Sequence, residues 1–266
     1  MGGVVEIGNW QLAIAAVLML AAAFASFHFK LGLTKDILVS TIRVFLQLLA
    51  LGLVLNYLFQ YQTWWLVLIM VVIMLVCAVF IARGRIKKGP RGLELSLFVS
   101  LLTTSLVVGA LVVGVVIHPT PIWDARTVIT IVGMVLGNSL SAVAVALDRL
   151  FADMDSRADQ ILAMLALGAT SREAAQPSIR SSIRAGLIPT LANMSAAGIV
   201  FIPGMMSGQI LAGADPMMAA KYQIVVLLMV SAATTICNII AVMMAYRKRF
   251  SREGVFVEPG LRGEGR

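Results

Sequence analysis

The chain has 266 residues, 60% of them hydrophobic and only 13% charged, with a formal net charge of +8 and a mean hydropathy of +0.95. Soluble domains hold about 45–50% apolar and about 25% charged residues. The composition therefore excludes disordered, collagen-like and disulfide-scaffold classes and points to an all-α, polytopic bundle of membrane-spanning helices.

A crossing helix needs roughly 20 mostly apolar residues. The sequence offers seven such runs, at 10–29, 37–59, 64–82, 93–117, 127–147, 186–206 and 222–246. Ahead of the first, Met1–Trp10 carries Glu6 and no basic residue. A signal peptide needs a positive n-region, so this run is read as a span despite the cleavage-like Ala23-Phe24-Ala25. In the second, Arg43 and Gln47 lie four apart and share a helix face. Arg43 either snorkels to the inner edge or turns inward to pair with an acid, with Asp148 a candidate. Trp64 and Trp65 open the third run and Trp123 precedes the fifth, as interfacial aromatics should. Glu94 begins the fourth at its interface.

The fifth run is interrupted by Asn138, Ser139 and Ser141, and the sixth by Asn193 and Ser195. Such groups either bond helix to helix or line a substrate path. The sixth is the weakest span, because Pro189, Gly198, Pro203 and Gly204 all break helices. Gly133–Gly137 and Gly204–Gly208 are G-x-x-x-G pairs that permit close helix approach.

Of the 21 Lys and Arg residues, all but Arg126 and Lys221 fall at alternate loops and the C-terminal end. The positive-inside rule then puts the N-terminus outside and the C-terminus inside, with an odd number of spans. The same rule, rather than nucleic-acid binding, accounts for the basic charge. Residues 1–252 read as one transmembrane domain, with 148–185 a cytoplasmic segment and 253–266 a disordered, Gly-rich tail.

Within that segment Ser156 and Asp159 form a plausible N-cap pair. Ala158, Ile161, Leu162 and Leu165 make an apolar stripe at helical spacing. Gly168 suits a helix C-terminus, Thr170 and Glu173 form a capping box, and Pro177 breaks or kinks the helix that follows. The result is a helix–turn–helix on the cytoplasmic face, serving either as an amphipathic connector or as a docking surface.

No phosphate loop, H-E-x-x-H, G-x-S-x-G or paired-histidine motif occurs. The chain is therefore read as a non-enzyme that does not hydrolyse nucleotide itself. Cys77 and Cys237 both lie in apolar runs and suit no disulfide or zinc site. Met194, Met205, Met206, Met217 and Met218 gather around the sixth span, as gap fillers or as soft ligands for a soft cation. No metal-ligand set is identified.

Three stretches together carry a resemblance: 137–150, beginning Gly137-Asn138-Ser139 and ending Asp148-Arg149-Leu150; Leu165-Ala166-Leu167-Gly168-Ala169-Thr170; and Pro203-Gly204-Met205-Met206-Ser207-Gly208-Gln209, with Lys221-Tyr222-Gln223-Ile224. With Arg43 and Gln47, they resemble the FetB family of ABC transporter permeases, across about residues 10–245. The resemblance implies a plasma-membrane permease subunit, acting as a homodimer, that exports an iron-like metal ion. ATP and Mg would be bound by a separate cytoplasmic ATPase of the FetA kind, with no cofactor on this chain. Gly168 lies farther from the following Leu-Ile-Pro than in the related coupling loop of ABC importers. On this reading Arg43, Gln47, Asn138, Asn193, Met205, Met206 and Gln209 line the substrate path, and Arg157, Ile161, Leu165 and Gly168 couple to the ATPase. A channel or carrier that needs no ATPase is the alternative.

Overall fold

The computed structural model describes residues 8–61, 63–86, 89–90, 92–251 and 254–257. Residues 1–7, Lys87, Lys88, Arg91, Arg252, Arg262 and Arg266, which bear on the orientation, lie outside the described residues, as does most of the expected tail.

Nine α-helices make up the described chain, and no strand is present among its residues: α1 Asn9–His28, α2 Thr34–Tyr61, α3 Trp64–Arg85, α4 Leu93–Leu111, α5 Ala125–Ser156, α6 Ala158–Ala166, α7 Ser171–Ala196, α8 Gly204–Leu211 and α9 Pro216–Ala245. A π-helical stretch, Val112–Ile117, extends α4, and a 3-10 turn, Tyr246–Arg249, extends α9. Six of these helices (α1–α5 and α9) are long and apolar enough to cross a membrane. The long, oily runs behave as expected because a bilayer leaves the backbone no hydrogen-bond partner except itself.

The expected sixth span, 186–206, is not one helix. α7 starts within the polar segment and runs through Pro177, which does not end it, and through Pro189. It stops at Ala196; Gly198 has a φ of +80°, Ala197 bridges to Phe201, and Pro203 caps α8 in extended backbone. Pro203 cannot continue a helix, and it holds Ile202 away from helical angles. Arg172, Arg180 and Arg184 keep α7 from being apolar enough to span by composition. α7 and α8 nonetheless follow the bundle. Gly186 lies against Ala142 and Asn238, Met194 Sδ accepts from Ser231 Oγ at 2.7 Å, and Met205 packs on the Ile131, Val135 and Val226 cluster.

α5 is the central helix and packs on α3, α4, α7 and α9. The main core gathers Leu93, Leu97 and Leu101 of α4 with Leu147, Leu150, Phe151 and Met154 of α5, all fully buried. α9 and α7 close it with Ala241, Val242, Ala175 and Ile179. At that end Arg249 Nη2 sits 2.9 Å from Asp155 Oδ1, with its guanidinium 5.4 Å from the Phe151 ring. Residues 254–257, assigned from sequence to the disordered tail, turn back instead. Phe250 bridges Phe256, whose ring is buried in the main core.

α1 and α2 form a hairpin that stands largely apart. Its packing on the rest of the chain centres on Leu58, which meets Val67, Ala125 and Ile129, and on Phe59, whose ring lies 5.2 Å from the Arg126 guanidinium. Leu58 is the one buried residue described in α2.

Candidate functional site

Arg43 and Gln47 are exposed on α2, in one stripe with Asp36 and Ser40, which are exposed as well. The spacing of 4, 3 and 4 residues places all four on one side of the helix. Arg43 lies about 13 Å along the helix from Thr34, and among the described residues no ion pair or hydrogen bond joins its side chain. The expected pairing with Asp148 is absent, because α2 meets α5 around Leu58, far from Arg43. A charge at mid-bilayer costs ~2.5–3.5 kcal/mol, so this stripe needs water, headgroups or protein beside it.

Asn138 is exposed on α5, and its Nδ2 donates to Met134 O at 2.8 Å. Ser141 Oγ donates to Gly137 O at 3.1 Å. Both bonds close on their own helix, so α5 continues unbroken to Ser156. Asn193 is exposed near the end of α7. Met205, Met206 and Gln209 lie together on α8, half-buried against α9. Within one chain these residues do not form a single site, because the hairpin holds Arg43 and Gln47 away from α7 and α8.

Sequence reading missed a polar layer in the middle of the bundle. Ser96, Ser100 and Thr104 recur every fourth residue on one face of α4 and are fully buried. Ser100 and Thr104, with Ser139 of α5, face the Cys237 thiol. Asn238, next along α9, is fully buried too. Neither amide atom of Asn238 has a hydrogen-bond partner among the described residues, nor do the hydroxyls of Ser96, Thr104 and Ser139. An unsatisfied buried polar group costs about 1–3 kcal/mol. The signal available in the sequence was the Ser96/Ser100/Thr104 spacing, hidden among leucines.

At the basic end, α6 stands between α5 and α7. Its expected cap pair does not form: Ser156 still belongs to α5 and its Oγ donates to Asp153 O, so Arg157, exposed, makes the junction. Ile161 is only 2% exposed, and Leu165 packs beside it on the main core. These two anchor the helix and are not offered outward. The apolar groups turned out are Leu162, Met164 and, at the tip, Leu167, which is 89% exposed. Gly168 has a φ of +88°, and Ala169 N donates to Met164 O at 3.0 Å, a glycine-terminated helix end. The capping box is formed as expected. Thr170 N donates to Glu173 Oε2 at 2.8 Å, and Glu173 N to Thr170 Oγ1 at 3.3 Å. Hydrogen bonds from the Thr170 backbone and hydroxyl hold the Glu173 carboxyl below its ordinary value.

No group of three or more His, Cys, Asp or Glu able to hold a metal ion occurs among the described residues. Six apolar spanning helices, an oily exterior and a core built of crossing helices define an integral, multi-pass membrane protein. The chain belongs to the UPF0014 family, described as uncharacterised, whose model matches residues 9–250. It is 37% identical to the Escherichia coli "Probable iron export permease protein FetB" over 246 residues, covering 92% of this chain and 93% of that protein. It is 34% identical to the Bacillus subtilis "UPF0014 membrane protein YjkA", covering 91% and 95% of the two chains. The Arabidopsis thaliana "Protein ALUMINUM SENSITIVE 3" is 30% identical, with 92% and 88% covered. No solved structure matches the chain.

Proposed function

We propose that this chain is the membrane-spanning permease subunit of an ABC transporter in a plasma membrane, working as a homodimer and exporting an iron-like metal ion. ATP, with Mg, is hydrolysed on a separate cytoplasmic subunit. The basic end of the bundle faces the cytoplasm, with the N-terminus outside and the C-terminus inside. The observation that carries the reading is α6. Anchored from below by Ile161, it raises Leu162, Met164 and Leu167 as an apolar knob beside Arg157. A helix that meets the start of α7 through one glycine turn is positioned to pass a push from a bound partner into α7. The cargo path runs between the two copies, along faces that carry Arg43, Gln47, Asn138 and Asn193, with Met205, Met206 and Gln209 toward the other end. The iron-like cargo is supported by the similarity to the Escherichia coli protein of that name.

The test is co-expression with a candidate ABC ATPase subunit from the same genome, followed by co-purification and ATPase assays with Fe(II), Cu(I), Al(III) and UDP-glucose. The reading expects a stable complex stimulated by one of these. It also expects that Leu167→Asp abolishes association while leaving the melting temperature unchanged, because Leu167 touches little of its own chain. Chains that never associate would refute the reading and leave the ATPase-independent carrier.

A further inference from the structure

Arg180 and Arg184 stand four apart on one face of α7, both exposed, and across from them Arg149 projects from α5. With Ser181 and Ile188 they line a single cavity of about 500 Å³. Arg149 is partly compensated: its Nε lies 3.2 Å from Asp153 Oδ1 and 3.4 Å from Ser181 Oγ. With the Gln176 amide turned so that its oxygen faces the guanidinium, that oxygen, a neutral acceptor, lies 3.3 Å from both Arg180 Nε and Nη2. No acid pairs with Arg180 or Arg184 among the described residues. Like charges at i and i+4 destabilise a helix, so three guanidiniums converging from two helices with one carboxylate among them leave an excess of positive charge in one cavity.

The basic cavity does not end at the arginines. A second cavity, of about 520 Å³, shares Arg180, Arg184 and Ile188 and continues along α7 to Leu191. A solvated basic face would need only the arginines. Here a cationic head opens into an apolar groove that runs along the exposed face of α7 past Ile188 to Leu191.

We propose that Arg149, Arg180, Arg184 and Ser181 bind a phosphate-bearing anion, with the guanidiniums and the hydroxyl donating to its oxygens. Planar guanidiniums match phosphate oxygens in pairs. The same chemistry serves the headgroup of an anionic phospholipid, whose acyl chain the apolar groove would take, or a free phosphorylated solute. The site does not depend on whether an ATPase joins the chain.

The experiment uses the full chain, reconstituted into nanodiscs of phosphatidylglycerol and phosphatidylethanolamine in equal parts and released for native mass spectrometry. A parallel titration adds inorganic pyrophosphate to delipidated protein in neutral detergent. Wild type should retain phosphatidylglycerol over phosphatidylethanolamine, and Arg180→Gln/Arg184→Gln should lower that retention by about tenfold or more, the effect of losing charge-assisted hydrogen bonds. Arg172→Gln/Lys221→Gln, which removes the same charge elsewhere, should not change it. Arg180→Lys/Arg184→Lys keeps the charge and should fall between wild type and the Gln pair, separating anion binding from a folding defect. Phosphatidylglycerol retention lost in the Gln pair, without pyrophosphate binding, identifies the lipid headgroup. Pyrophosphate binding lost in the Gln pair, without lipid retention, identifies a soluble phosphate. Equal binding of both anions by wild type and the Gln pair, or binding of neither by wild type, overturns the proposal.

Discussion

Gly186 is the most tightly packed of the described glycines, and replacing it with alanine tests the packing directly. A Cβ built there would lie 2.7 Å from Ala142 O, 2.7 Å from Asn238 Nδ2 and 2.9 Å from Ala146 Cβ. Ordinary contacts begin near 3.4 Å, so α7 must move off α5 and α9 by about half an ångström or more. Ala142 O is backbone and cannot swing aside. Overpacking of this kind costs about 1–3 kcal/mol, and three simultaneous contacts put the site toward the upper end. Alanine returns up to about 1 kcal/mol through its better helix propensity. The net expectation is a loss of about 2 kcal/mol. At about 2–4 °C per kcal/mol for a chain of this size, the melting temperature falls by about 4–8 °C. Gly137→Ala, on α5 with nothing within 4 Å of its Cβ position, gains the propensity without the clash, so it melts at or slightly above wild type. Thermal unfolding of the isolated chain in detergent, followed by tryptophan fluorescence, reads both. A Gly186→Ala variant that melts no lower than wild type would refute the close crossing of α5, α7 and α9.

Two further changes probe the basic end. Arg249→Ala removes the guanidinium 2.9 Å from the Asp155 carboxylate, whose side chain is 13% exposed, and should cost up to about 3–5 kcal/mol; Arg249→Ala/Asp155→Ala should recover part of that in the same melt, and a double variant no better than the single would remove the pairing from the account. Thr170→Ala removes the cap of α7 and should cost about 1 kcal/mol, seen as faster amide exchange over 171–175. Glu173 is held below its ordinary value of 4.5 by Thr170, so its share of the cap is present above that value and is lost as pH falls through the depressed one. Exchange at these amides should therefore converge between wild type and Thr170→Ala at acid pH, and a constant difference would contradict the assignment.

What the sequence made legible was local or monotonous. The apolar runs of α3, α4, α5 and α9 read correctly because length and hydropathy decide membrane helices. The Thr170–Glu173 box read correctly because both partners lie within one turn. The sixth run failed as a single helix because window hydropathy averages over Gly198 and Pro203, which set the backbone one residue at a time. Close packing expected at Gly133–Gly137 and Gly204–Gly208 is found at Gly133, where a Cβ would lie 3.0 Å from Met74 Cε, and not at the other three; the closer contact is at Gly186, where Ser182-x-x-x-Gly186 carried the weaker small-residue pattern. Ile161 and Leu165 illustrate a deeper limit. A stripe at helical spacing says that a face is covered and not by what, and here the cover is the chain's own core. Asn238 stayed invisible because its neighbours in sequence are apolar, and its isolation depends on what α5 and α7 bring to it.

The separateness of the α1–α2 hairpin bears on how sequence change in this chain can be interpreted. A segment that touches the rest of its molecule chiefly around Leu58 contributes little to keeping that molecule folded. Substitutions along most of α2 should pass a screen for folding and abundance almost unnoticed, whereas the same survey over α5 or α9 should be full of losses. The stripe of Asp36, Ser40, Arg43 and Gln47 adds little to the stability of a single copy. A variant map scored once for abundance and once for performance would therefore diverge most in this hairpin.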